Sequence, residues 1–93
     1  MRDKLTNEQK SQFYLHLDNS LEKLDSSKNR LKPHWRNHTI VLLSKMIDIE
    51  NKELSMAVYK GEKNGIKTEC YDLINLCLMI LDNIENFESS EKF

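Results

Sequence analysis

The chain has 93 residues, of which 31% are charged and 39% hydrophobic, with only two glycines and one proline. That is room for one small domain; the composition is too apolar for a disordered chain and too poor in turn residues for a β architecture, which leaves long helices. A net charge of −1 argues against non-specific binding of a nucleic-acid polymer or a membrane by the chain as a whole.

The opening MRDKLTNEQK has no apolar signal core, which makes the cytoplasm the expected location. A first helix is expected over 7–26. Thr6 and Gln9 have the spacing of a capping box, in which each side chain satisfies a free backbone donor of the other. Tyr14, Leu17, Leu21 and Leu24 follow at 3-4-3 spacing and predict one apolar stripe. Residues 26–38, SSKNRLKPHWRNH, contain the only proline and break the helical pattern. A second helix is expected over 39–60, then KGEKNG with Gly61 as a left-handed cap.

The third helix is expected over 66–87. Its core, ECYDLINLCLMILDN over 69–83, is so apolar that it predicts burial on nearly all sides. The run 73–81 is too short to span a bilayer. Cys70 and Cys77, seven apart in one helix, cannot bridge each other and form no metal motif; they are expected to be core thiols in a reducing compartment. The fold class is therefore all-α: residues 1–93 form one small helical bundle, with the second and third helices paired antiparallel. So thin a core makes a second copy of the chain an expected partner.

Charge is unevenly spread. Residues 1–38 carry eight Lys/Arg against five acids, and residues 39–93 carry six against ten. With the hairpin turn centred near 62.5, Glu53 faces Asp72, Glu50 faces Asn75, and Glu69 lies about one turn nearer the loop. Residues three apart share a helix face, so the two polar stripes converge. Several carboxylates in apolar surroundings repel and take up protons unless a cation holds them. Glu50, Glu53, Glu69 and Asp72 offer only hard oxygen donors, which selects magnesium, or manganese in its place, over zinc. Two blander readings stay open: the acids are a solvated face, or Asp72 pairs with a lysine or caps a neighbouring helix.

KNRLKPHWR over 28–36 carries Lys28, Arg30, Lys32 and Arg36, no acid, and the only Trp, Trp35. A cationic segment with an aromatic beside a carboxylate cluster suits a nucleotide, with cations on the phosphates and the ring on the base. The alternative is a solvated basic loop with Trp35 as a core anchor. His34 and His38, four apart, read as surface histidines rather than a zinc pair.

E-x-x-E, fifteen residues, then E-x-x-D, here Glu50, Glu53, Glu69 and Asp72, resembles the signature of the MazG-like all-alpha nucleotide pyrophosphohydrolases, a group that includes dimeric dUTPases. NRLKPHW resembles the N-R-x-K-x-x-W segment of small phage and bacterial members, and ECYDLINLCLMILDNI their E-A-A-D-V-A-N-F-x-M-M-I-x-D-N stretch. The resemblance covers about residues 27–84. It implies that Glu50, Glu53, Glu69 and Asp72 bind magnesium, that Lys32 and Asn75 lie near substrate, and that Trp35 is the family tryptophan. It also implies a homodimer or homotetramer in a bacterial or phage-infected cell. One departure is Ile49, where many members carry a further Glu.

The leading expectation is hydrolysis of a nucleoside triphosphate to monophosphate and pyrophosphate. Glu50 or Glu53 would accept the proton of the attacking water, Lys32 and Arg36 would offset phosphate charge, and Asn75 would bind sugar or base or orient a carboxylate. The runner-up is a protein that sequesters a nucleotide without cleaving it, and a third reading is a plain helical interaction module.

Overall fold

The computed structural model describes residues 4–26 and 35–86. It is a small all-α bundle: α1 (Asn7–Ser26), a short 3₁₀ turn (Trp35–Asn37), α2 (Ile40–Lys60) and α3 (Lys63–Asn86). The described residues contain no strand.

Each helix start and stop has a local cause. The Thr6 backbone N–H donates to Gln9 Oε1 (2.8 Å) and the Gln9 N–H to Thr6 Oγ1 (3.1 Å), so the capping box forms as the spacing predicts. Thr39 caps α2 by accepting from the Leu42 N–H at 3.1 Å. Gly61 ends α2 at φ 69°. Its N–H donates to the Val58 carbonyl (3.1 Å) and the Glu62 N–H to the Ala57 carbonyl (3.0 Å), the paired bonds of a Schellman turn.

The turn is tighter than KGEKNG suggests. Only Gly61 and Glu62 lie outside helices, and α3 starts at Lys63 rather than 66. Lys63 and Asn64 are adequate helix formers, and Gly65 is carried inside the first turn. A side chain at 65 would meet the Ala57 methyl at 3.5 Å, so the glycine lies where the two helices run close together.

α2 and α3 form the antiparallel hairpin, and its core sits toward the end away from the turn. Leu43 of α2 and Leu76 and Met79 of α3 are buried there, packed by Met46, Ile47 and Ile80, with Trp35 from the 3₁₀ turn and Leu24 from α1. Two expectations about burial need correction. α3 is not enclosed on all sides: Leu81, 56% exposed, and Ile84 and Cys77 form an open stripe at i, i+4, i+7. Cys77 is thus an exposed thiol rather than a core one, while Cys70 is half-buried and also free. On α1, Tyr14 and Leu21 of the predicted stripe are exposed, and the one fully buried residue is Ser20. The other half of the stripe, Leu17 and Leu24, is half-buried on the same face as Ser20, and Leu24 packs against the core, so α1 docks through polar groups flanked by these two leucines.

The two glycines are expected to respond oppositely to alanine. Gly61→Ala places a side chain in the left-handed region and should lower stability by about 1 kcal/mol. Gly65→Ala finds ordinary van der Waals space and gains helix propensity, raising stability by up to about 1 kcal/mol. Thermal unfolding of the two variants checks both signs.

Candidate metal centre

α2 delivers Glu50; α3 delivers Glu69 and, one turn later on the same face, Asp72. One carboxylate oxygen from each lies within 4.8 Å of the other two. All three residues are half-buried. Glu50 Oε2 and Glu69 Oε2 are closed off from solvent and have no hydrogen-bond partner. Two buried acceptors side by side are relieved by a proton held between the carboxyls or by a cation among them. The Glu50 carboxyl is pushed up from 4.5 to about 8, first by burial, then by a hydrogen bond it shares with the Glu69 carboxyl, then by the negative charges of Glu53, Asp72 and Glu69.

The third acid has a cation of its own. Lys23, in the last turn of α1, donates its ammonium to Asp72 Oδ1 and to the Thr68 carbonyl, the latter at 3.3 Å. Pairing with a lysine was one of the open readings of Asp72, and it is present here alongside the carboxylate cluster.

Glu53 sits apart from the trio. It is exposed and lines an open groove of ≈ 390 Å³ with Lys52, Met56, Lys60, Gly65 and Glu69. The expected register, Glu53 opposite Asp72 and Glu50 opposite Asn75, fails because the turn is only two residues long. Shortening it moves the hairpin centre toward the N-terminus and brings Glu50 to the level of the α3 acids. Glu53 is left at the mouth of the cluster, near enough for its charge to bear on Glu50.

The residues expected to touch a substrate have other engagements. Asn75 is buried between helices: its Oδ1 accepts from Ser20 Oγ at 2.9 Å and its Nδ2 donates to the Ser20 carbonyl at 3.0 Å. Ser20 Oγ also lies 3.1 Å from the Tyr71 carbonyl. Trp35 Nε1 donates to Asp82 Oδ2 at 2.8 Å, and Arg36 grips both oxygens of the same carboxylate, at 2.8 and 3.0 Å. Asp82 is ten residues past Asp72, about 15 Å farther along α3. Trp35 and Arg36 therefore anchor the 3₁₀ turn at the end of α3 remote from the carboxylates, and Trp35 takes the core-anchor reading. Asn83 adds to that anchor, donating to the Trp35 carbonyl at 3.2 Å and the His38 carbonyl at 3.4 Å. Lys32 and His34 lie outside the described residues.

Sequence reasoning missed Ser20, Lys23 and Asp82. The signal for the first two was indirect: an amide and a carboxylate inside an apolar helix demand partners, but nothing local says that α1 supplies them across about fifty positions.

The donor set suits a hard divalent cation. It consists of oxygens alone, two of them without partners, and the cluster is the one such group among the described residues. Neither a family model, a curated protein nor a solved structure matches the chain. Among the described residues no helix is long and apolar enough to cross a membrane.

Two predictions follow from this geometry. The unfolded chain releases the Glu50 proton near pH 4.5, the folded protein only near 8. Folding thus takes up a proton between those values, and the protonated carboxyl's contribution, complete below pH 4.5, is lost as pH rises toward 8. The melting temperature of metal-free protein should fall across that window, and Glu50→Gln should flatten the fall. Separately, Asp82→Ala removes the acceptor for Trp35 and Arg36. Loss of the indole–carboxylate bond alone should cost about 1.5–3 kcal/mol, and fluorescence of the only tryptophan should move to longer wavelength.

Proposed function

We propose that this protein is a magnesium-dependent nucleoside triphosphate pyrophosphohydrolase, releasing nucleoside monophosphate and pyrophosphate. The observation that carries this reading is the cluster of Glu50, Glu69 and Asp72, with two buried carboxylate oxygens that no basic group of the described residues reaches. It agrees with the MazG-like pattern of the sequence. Glu50, Glu69 and Asp72 would hold magnesium, or manganese in its place, with Glu53 completing the set from the groove. The bound ion would supply Lewis-acid polarisation of the phosphates and a more acidic water.

The chain's own groups take the remaining roles. Glu53, open to the groove, accepts the proton of the attacking water as the bond between the α- and β-phosphates breaks. Lys52 and Lys60 line the same groove and offset charge on the phosphates, a role the sequence had suggested for Lys32 and Arg36. The open stripe of Cys77, Leu81 and Ile84 on α3, with Ile49 and Met56 exposed on α2, supports a homodimer or homotetramer as the working form. A cytoplasmic location suits both the nucleotide substrate and the two free thiols.

Capture of a nucleotide without cleavage remains the second reading. It is favoured by Ile49, an exposed apolar residue where the resembled family often has an acid.

Purified protein incubated with ribo- and deoxyribonucleoside triphosphates, with magnesium or with chelator, separates the two. Monophosphate plus pyrophosphate only with magnesium, falling about 10- to 100-fold in Glu69→Gln, is the expected result. Intact nucleotides that nevertheless bind in chelator would establish capture. Full turnover by Glu53→Ala would remove Glu53 from the role of base.

A further inference from the structure

We propose that Lys23 competes with the divalent cation for Asp72, so that metal loading and the seating of the last turn of α1 are coupled. The inference rests on reading Glu50, Glu69 and Asp72 as a divalent-cation site.

The Lys23 ammonium is bonded to Asp72 Oδ1, and an oxygen of Asp72 lies within 4.8 Å of the Glu50 and Glu69 oxygens. A positive charge thus already occupies one side of the cluster. It serves a purpose there without metal, because it offsets one of three carboxylates that would otherwise repel. A divalent ion among the same oxygens reverses the relation. Ammonium and ion are then like charges a few ångströms apart, bidding for one carboxylate, and the ion carries twice the charge.

The chain gives Lys23 somewhere to go. Among the described residues α1 is fastened to α3 by polar contacts at successive turns: His16 Nδ1 with the Tyr71 hydroxyl (3.0 Å), Ser20 with Asn75, and Lys23 with Asp72 and the Thr68 carbonyl. Only the third involves the cluster. Ser20 is fully buried and bonded at both its hydroxyl and its carbonyl, whereas Lys23 is half-exposed in the final turn. Its ammonium can leave Asp72 for solvent while Ser20 keeps the helix attached. Coupling of this kind is reciprocal: whatever factor by which metal weakens the Lys23 contact, removing that contact strengthens metal binding by the same factor.

The test is a manganese titration, by calorimetry and by paramagnetic resonance of the free ion, of the wild type, Lys23→Met and Lys23→Arg. Lys23→Met should bind manganese about 5-fold or more tighter, while its metal-free form melts lower. Lys23→Arg keeps the charge and should stay near wild type. Saturable binding with equal or weaker affinity in Lys23→Met overturns the competition and leaves the site intact. No saturable binding by any of the three overturns both. The unmutated protein gives an independent readout by nuclear magnetic resonance on adding magnesium. The Lys23 side-chain signals should shift to free-lysine positions, with amide exchange rising over 22–26 and unchanged at Ser20. Movement of the Glu50 and Glu69 carboxyl carbons with Lys23 unmoved would overturn the proposal.

Discussion

Gly61 reverses the chain in two residues, and that brevity decides which side chains meet across the hairpin. The Schellman bonds from Gly61 and Glu62 lock α2 and α3 at a fixed offset. Every cross-helix pair inherits it, including Leu43 against Leu76 and Met79 and Glu50 against Glu69 and Asp72. A longer connection would have let the helices slide and brought Glu53 to the level now held by Glu50. The carboxylate trio is a product of turn chemistry at least as much as of the acids themselves.

The hairpin solves only part of the packing. Its core is three large side chains with a fringe of half-buried ones, and α1 adds little apolar cover. What α1 brings instead is matched polarity. Asn75 finds both its donor and its acceptor on Ser20, and Asp72 finds Lys23. Buried polar groups are tolerated when each finds its partner. At the other end of α3 the same logic holds for Asp82 and Asn83, which take the indole, the guanidinium and two carbonyls of the segment before α2. α3 thus carries a polar group at each level where another segment crosses it; among the described residues the buried acceptors without a hydrogen-bond partner are Glu50 Oε2 and Glu69 Oε2 at the carboxylate cluster and Asn83 Oδ1 at the far end.

Much of this was legible in the sequence. The ends of α1, the Thr6–Gln9 box and the Gly61 cap depend on neighbours within four positions, and patterns of that range can be read directly. The acids of the candidate site were visible because E-x-x-E and E-x-x-D are helical spacings and because Asp72 interrupts an apolar run. What stayed hidden depends on tertiary offset. Three residues of turn length moved Glu53 out of the trio. Trp35 and Arg36 could not be assigned without knowing that Asp82 waits for them, and the partners of Asp72 and Asn75 are polar residues of a helix read only for its apolar stripe, of which Leu17 and Leu24 flank Ser20 on the docking face. Burial of α3 was overestimated because apolarity reports what a face would gain by being covered, not whether this chain covers it.

The polar fastening of α1 has a consequence for the order in which the chain assembles. α2 and α3 are adjacent, joined by two residues, and their contacts close short loops, so the hairpin costs little chain entropy to form. α1 must wait for it, because Ser20 and Lys23 have nothing to bond until Tyr71, Asp72 and Asn75 are fixed in a helix. Hydrogen bonds reward only a completed geometry and give no partial credit for loose collapse. The polar part of α1's docking is therefore conditional on a formed α3, while Leu24 alone among its core contacts rewards a looser approach.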